Sequence, residues 1–135
     1  MTLSTNADDS ELRMSCAGTL DRPKVMRHAL AAFMTALEVS DETRDDILTA
    51  VGEALANAVE HAHEPGHPGR VALTARFENA KTMMIEVEDD GTFVDRGDEP
   101  RPHRGFGLKI IGAIARDLTV DLDGGTRVRM RFELG

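Results

Sequence analysis

Three polar residues, Glu53, Asn57 and His61, follow one another at four-residue spacing between Ser40 and His63. At about 100° per residue of an α-helix, the three fall within about 80° of one another. The apolar residues of the segment fall on a separate arc, and they are Leu48, Val51, Leu55, Ala58, Val59 and Ala62. Carboxylate and imidazole side chains are common acid–base groups of active sites. On this helix alone, however, a solvated polar face is the better interpretation.

A second group of polar residues, Glu88-Asp89-Asp90-Gly91, follows an alternating apolar run. An Asp just past a buried strand can accept a hydrogen bond from a ligand's exocyclic amine, and a following Gly lets the backbone come close. An ordinary Asp-Gly turn has the same sequence. The pattern therefore indicates a ligand contact only if other motifs support it.

A third motif, Arg104-Gly105-Phe106-Gly107-Leu108, opens a helix whose apolar stripe is predicted to consist of Leu108, Ile111, Ile114, Ala115 and Leu118. Glycines that open a helix leave backbone N–H groups directed at an anion, and the helix dipole adds to this attraction. A flexible loop end is the alternative interpretation.

The elements that must position these motifs follow from periodicity. Apolar residues alternate near residues 12–16, 71–77, 83–87, 120–122 and 128–132, which predicts five strands. Helical stripes predict helices from about 22 to 38, from 40 to 63, and from near Gly107 to 118. The order β-α-α-β-β-loop-α-β-β predicts an α+β fold, a two-layer sandwich of a mostly antiparallel five-stranded sheet with three helices on one face. Residues 1–9 are predicted to be a flexible N-terminus and 10–135 a single domain.

Composition narrows the classes of function. The formal charge is −8, and we find no segregated basic patch of the kind that nucleic-acid binding requires. Arg127, Arg129 and Arg131 alternate, so they share one face of a strand, which we interpret as solvated. Cys16 is the single cysteine, so no intrachain disulfide can form. No signal peptide or membrane span is recognisable, and we expect a cytoplasmic protein.

The neighbouring histidines His61, His63 and His67 suggest a zinc site. Structural zinc sites usually pair their ligands and include thiolates, and no second pair or nearby cysteine is present. We therefore prefer to read His61 as part of the polar helix row.

The three motifs occur in a fixed order, and Gly125-Thr126 then opens the last strand. In this order they resemble the N box, the two glycine boxes and the terminal Gly-Thr of the Bergerat-fold ATPases. From Ser10 to Leu134 the layout is most similar to the anti-sigma-factor serine/threonine kinases, which also share the first helix that contains Arg27.

The resemblance implies roles for individual residues. Glu53 would be the general base that deprotonates a protein hydroxyl, and Asn57 would supply an oxygen to Mg²⁺. The remaining residues would bind ATP or ADP: Asp89 at the adenine amine, Gly91 beside the ring, Arg104, Gly105, Gly107 and Leu108 at the lid and the helix that follows it, and Thr126 near the adenine. The implied partners are a sigma factor and a STAS-type anti-sigma-factor antagonist, which would be the phosphorylation substrate. The protein would act as a homodimer, with no direct contact with nucleic acid or membrane.

Two departures from the family pattern keep alternatives open. Phe93 stands where the second glycine of Asp-x-Gly-x-Gly is usual, and the loop carries Asp95, Asp98 and Glu99 near the expected phosphates. A nucleotide-binding module that sequesters a partner without kinase activity is therefore the second hypothesis. A stand-alone catalytic domain that serves a histidine kinase is the third.

Overall fold

The computed structural model describes residues 2–6, 11–64, 67–90, 104–122 and 124–134, of which 2–6, 61–64, 67–68 and 104–107 are described by their backbone alone. The strands in this part of the chain are β1 (Thr2–Asn6), β2 (Glu11–Ala17), β3 (His63–Glu64), β4 (His67–Pro68), β5 (Arg70–Asn79), β6 (Thr82–Asp89), β7 (Asp117–Asp121) and β8 (Thr126–Glu133). The helices are α1 (Arg22–Ala36), α2 (Asp41–Ala62) and α3 (Arg104–Ile114).

The main sheet is antiparallel throughout, with the strand order β1-β2-β5-β6-β8-β7. The short strands β3 and β4 pair with each other outside it. The alternate, inward residues of the central strands share one hydrophobic core with the three helices. The prediction of an α+β two-layer sandwich with three helices on one face is confirmed.

The core compensates for the scarcity of aromatic residues with aliphatic side chains and methionine. Met26, Met34, Met83 and Met130 are completely buried. Methionine fills irregular gaps because its side chain is unbranched and flexible. Burial of such a side chain stabilises the fold by about 1.5–3 kcal/mol relative to its exposure.

The long helix α2 begins where its sequence predicts. The Thr43 amide donates to Ser40 Oγ at 3.3 Å, and Asp41 and Glu42 occupy the first turn, where the helix dipole favours negative charge. The helix then packs against β5, β6, β8 and α3. It therefore carries its polar row along the covered side of the sheet.

The uncovered face of the sheet is a network of ion pairs. Arg127 contacts Glu86 and Glu88, Arg129 contacts Glu86, and Arg131 contacts Glu78. The three alternating arginines are thus matched by carboxylates of the same protein. This agrees with their interpretation as a solvated face rather than a nucleic-acid site.

Several boundaries differ from the predictions. Helix α3 ends at Ile114 and not at 118, and β7 begins at Asp117 and not at 120. The reason is that the Arg116 amide donates to the Arg131 carbonyl, so the chain pairs with β8 from this point on.

Part of the segment predicted to be a flexible N-terminus forms an edge strand, because the backbone of β2 offers an open edge with which Thr2–Asn6 pairs residue by residue. The sheet therefore has six strands rather than five. Helix α3 begins at Arg104, three residues before the predicted start at Gly107, because a helix tolerates the two glycines of its first turn.

Candidate functional site

The α2 row lies at the border between the buried and the exposed side of the helix. Glu53 and Asn57 are half-buried, whereas Glu60 on the same helix is exposed. The predicted apolar stripe is largely buried, with Val51, Leu55, Ala58 and Val59 at most 3% exposed and Leu48 half-buried. The first two residues of the row are therefore not part of a freely solvated face. The side chain of His61 lies outside the described residues.

Asp89 is the last residue of β6, and Thr126 is the first residue of β8. The two are direct partners in the antiparallel register. Asp89 continues the inward alternation of Ile85 and Val87, so its side chain is on the helix-covered side of the sheet. Asp89 and Thr126 are 7% and 6% exposed, which is unusual for polar residues at the ends of strands.

The hydroxyl of Thr126 makes this place a candidate site for a polar ligand. Its Oγ1 atom is buried and has no hydrogen-bond partner among the described residues. A buried polar group without a partner costs about 1–3 kcal/mol, so such a group usually awaits a ligand or a water molecule. A hydroxyl beside a carboxylate can bind a ring with an exocyclic amine and an adjacent ring nitrogen. The residues present therefore fit an adenine base.

Gly125 holds β8 against β6 at this point. Its φ is +129°, and a Cβ atom at this position would lie 2.2 Å from the Asp89 carbonyl oxygen. Only glycine allows such a close approach. The sequence contained this information in Gly125-Thr126, but only the register between β6 and β8 shows what the glycine makes possible.

The adjacent residues Asp89 and Asp90 have different roles in the structure. The Oδ1 atom of Asp90 accepts a hydrogen bond from the Arg70 amide at 2.8 Å, and the Asp90 amide donates to the Arg70 carbonyl at 3.3 Å. Asp90 therefore ties the end of β6 to the start of β5 and is exposed, whereas Asp89 faces inward. Sequence reasoning did not assign this structural role to Asp90.

The glycine motif lies at the start of α3. Arg104, Gly105 and Gly107 belong to its first turn, where backbone N–H groups lack intrahelical acceptors. Leu108 follows and is 41% exposed, so it does not continue the buried stripe to which it was assigned. Gly91 lies outside the described residues.

Next to the α2 row, α1 contributes a cation. The Arg27 side chain lies over Gly52, with Cδ 3.3 Å and Nη1 3.6 Å from where a Cβ atom of that residue would be. Because Gly52 has no side chain, Arg27 can cross α2 one residue before Glu53. Helical periodicity does not predict this contact, because the contact involves two helices.

The described part of the chain offers neither a metal cluster nor a membrane span. It contains no group of three or more His, Cys, Asp or Glu side chains that could hold a metal ion. The side chains of His61, His63 and His67, to which the zinc alternative refers, lie outside the described residues. None of the described helices is long and apolar enough to cross a membrane.

Comparison with known proteins assigns the chain to a family. Residues 16–132 match the family described as the histidine kinase-like ATPase domain. Anti-sigma F factor of Clostridium perfringens is 26% identical over 138 aligned positions, covering 93% of this chain and 98% of the relative. Anti-sigma F factor of Bacillus velezensis is 23% identical, with 93% of each chain covered.

Solved structures agree on the fold. A Mycobacterium tuberculosis chain with RsbU and RsbW domains superposes with a TM-score of 0.74 at 20% identity, covering 92% of this chain. A blue-light activated histidine kinase of Erythrobacter litoralis superposes with a TM-score of 0.59 at 26% identity, covering 72% of this chain. The protein spans about a third of each of these two solved chains, 32% in both cases. The chain belongs to the histidine kinase-like ATPase domain family, and its similarity within that family is to the anti-sigma factors.

Proposed function

We propose that this protein binds ATP or ADP over the end of the sheet, with the adenine against Asp89 and Thr126. The observation that carries this proposal is the buried register pair, in which the Thr126 hydroxyl has no partner among the described residues. Asp89 accepts a hydrogen bond from the exocyclic amine, and Thr126 binds a ring nitrogen directly or through water. The family match supports an adenine nucleotide as the ligand.

The phosphates then extend toward α2 and the first turn of α3. Asn57 provides a carbonyl oxygen for Mg²⁺, which when bound neutralises phosphate charge. Arg104 and the free N–H groups around Gly105 and Gly107 bind the phosphates, and Leu108 follows directly after this turn. We assign to Gly91 the role that the family resemblance implies, which is to leave room beside the ring.

The same site supports a protein kinase. Glu53 lies one helical turn before Asn57, and we assign to it removal of the proton from a serine or threonine hydroxyl that attacks the γ-phosphate. The substrate is a STAS-type anti-sigma-factor antagonist, and the protein sequesters a sigma factor as a cytoplasmic homodimer. The names of the anti-sigma F relatives support a sigma factor as the sequestered partner.

Calorimetric titration with Mg-ATP and Mg-ADP tests the binding site. We expect wild type to bind both nucleotides, Thr126→Val to bind each of them less tightly, and Asn57→Ala to lose most of the benefit of Mg²⁺. Replacement of a buried hydroxyl that hydrogen-bonds a ligand costs about 0.5–1.5 kcal/mol, or roughly twofold to twelvefold in affinity. Absence of nucleotide binding by the wild type would refute the proposal.

Transfer of labelled phosphate from ATP to candidate antagonists tests the kinase assignment. Glu53→Ala should abolish transfer while nucleotide binding persists, and Glu60→Ala, an exposed carboxylate on the same helix, is the matched control. A phosphoester on Ser or Thr is stable in acid, whereas phosphohistidine is not. Transfer by Glu53→Ala at the wild-type rate would remove Glu53 from this role.

A second candidate function is sequestration of a partner under nucleotide control without phosphate transfer. It is favoured by Phe93 in the place of the second glycine and by the acidic residues that follow it. In this case nucleotide binding and partner binding are expected with no phosphoprotein. The labelling experiment therefore separates the two functions directly.

A further inference from the structure

The edge strand β7 is an open end of the sheet with uncovered apolar side chains. It is the last strand in the order, and no further strand lies beyond it among the described residues. Val120, which faces the helix side opposite Val128, is 42% exposed, and Leu122 just after the strand is 50% exposed. An open edge offers backbone groups to an added strand.

The outward faces of the last strands alternate in charge from one strand to the next. The outward charges are acidic on β6 (Glu86 and Glu88) and basic on β8 (Arg127, Arg129 and Arg131). They are acidic again on β7 (Asp117 and Asp121). The register places Arg131 opposite Asp117 and Arg127 opposite Asp121. Opposite charges on directly paired residues stabilise a sheet. By this pattern, a strand added beyond β7 carries basic residues on the outward face.

A second copy of the chain fits this edge poorly in the symmetric register that pairs all five residues of β7. Two β7 strands paired antiparallel about Thr119 would set Asp117 of one copy opposite Asp121 of the other, at both ends. Like charges directly opposite destabilise a pair of strands. In this register the edge disfavours its own copy and favours a segment of opposite charge.

We propose that the β7 edge docks an extended segment of a partner protein in which basic and apolar residues alternate. The basic side chains lie beside Asp117 and Asp121, and the apolar side chains cover Val120 and Leu122. Strand β8, Thr-Arg-Val-Arg-Met-Arg-Phe over residues 126–132, already has this pattern and pairs with β7 along its other edge. Its sequence is therefore a suitable probe.

The test is a titration of isotope-labelled full-length protein with three peptides, followed by amide chemical shifts. The first has the β8 sequence, the second has Glu in place of each Arg, and the third has the first peptide's composition with its three Arg residues in one block. We expect the first to bind at least tenfold more tightly than the other two, with shifts concentrated at residues 117–122. Equal binding of the blocked peptide would overturn the proposal, because the net charge of −8 alone would then explain the attraction.

A charge exchange completes the test. Asp117→Lys with Asp121→Lys should reverse the preference, so that the Glu peptide binds more tightly than the β8 peptide. If this double variant has a lowered melting temperature, the milder pair Asp117→Asn with Asp121→Asn replaces it. The Asn pair should abolish the difference in affinity between the two peptides. Shifts along β6 would indicate exchange with β8 instead of addition at the edge, and would overturn the proposal. A change in self-association caused by the Asp substitutions would do so as well, because it would assign the edge to a second copy.

Discussion

Two adjacent glycines before β8 differ in what surrounds them. Gly124 has φ +73° and open space where a Cβ atom would be, whereas the corresponding atom of Gly125 would overlap the Asp89 carbonyl. A side chain at Gly124 thus meets only backbone strain. At Gly125 it must also push β8 away from β6, at the point where the proposed adenine site is formed.

We therefore expect Gly124→Ala to cost about 1–2 kcal/mol in the free energy of unfolding. Gly125→Ala should cost several kcal/mol, in the range typical of overpacked sites. Urea denaturation measures both, and nucleotide titration of the Gly125 variant should show lost binding wherever it still folds. Equal costs at the two positions would contradict the close approach described here.

The hydrogen bond between Asp90 and the Arg70 amide should affect nucleotide binding, if the adenine lies at the proposed site. Asp90→Ala removes the acceptor that fixes the Arg70 amide and thereby loosens the end of β6, whereas Asp90→Asn keeps an oxygen acceptor. We expect Asp90→Ala to bind ADP about fivefold to tenfold less tightly, since one hydrogen bond to the amine weakens. The Asn variant should remain near wild type.

A comparison of ADP with IDP distinguishes a displaced Asp89 from a general disturbance of the fold. IDP has a carbonyl oxygen in place of the exocyclic amine and cannot donate to Asp89. Its affinity should therefore change little in Asp90→Ala. A parallel loss for ADP and IDP would show that Asp90 acts on the whole fold and not through Asp89.

At the scale of elements, the crossing of α1 over α2 depends on a glycine inside a helix. Glycine in a helix interior costs about 1 kcal/mol relative to alanine. Gly52→Ala should recover part of this amount, because Arg27 is long and can shift by a few tenths of an ångström. In an Arg27→Ala background the full gain is expected. Chemical denaturation of the four proteins of this double-mutant cycle measures the difference, and a destabilised Gly52→Ala would mean that Arg27 is held rigidly.

The elements also show how far the sequence could predict the fold and the site. Alternation and the helical stripe are local, so four of the five predicted strands and α2 were predicted close to their observed bounds, whereas β7 begins three residues before its predicted start. β1 was missed because its pairing depends on the open edge of β2 and not on its own polar sequence. Leu108 was assigned to a buried stripe because periodicity shows which residues share a face but not whether a neighbouring element covers it.

In the candidate site, too, local motifs were predicted and contacts between distant elements were not. Asp89 and Thr126 were identified from separate motifs, 37 positions apart, and only strand register makes them neighbours. The role of Asp90 and the contact of Arg27 with Gly52 had no sequence signal, because each joins elements distant in the chain.

For the whole molecule, ion pairs on the uncovered face make stability depend on pH. The hydrogen bond from Arg131 lowers the pKa of Glu78, although partial burial opposes this. A lowered pKa in the folded state stabilises the protein above the ordinary Glu value of about 4.3, and this contribution is lost as the pH falls through the folded value. Glu78→Gln should thus lower the melting temperature at neutral pH by a few degrees at most, and the difference should shrink below about pH 4.

Arg131→Met is the matched control for this experiment because it removes the other partner. Its melting temperature should show the same dependence on pH relative to wild type. A difference between Glu78→Gln and wild type that stays constant into acid would show that the pair is not the cause. Thermal unfolding monitored by circular dichroism across the acid range is sufficient to decide.

The pairing of Asp89 with Thr126 has a consequence for how the protein is assembled. Side chains alternate along a strand, so a slip of one residue between β6 and β8 would turn one member of the pair away from the other. Only molecules whose strands are aligned correctly could then retain the ligand. Because a ligand of the native state adds to its stability, the nucleotide would act as a selector among folded conformers and remove misaligned sheets from the population.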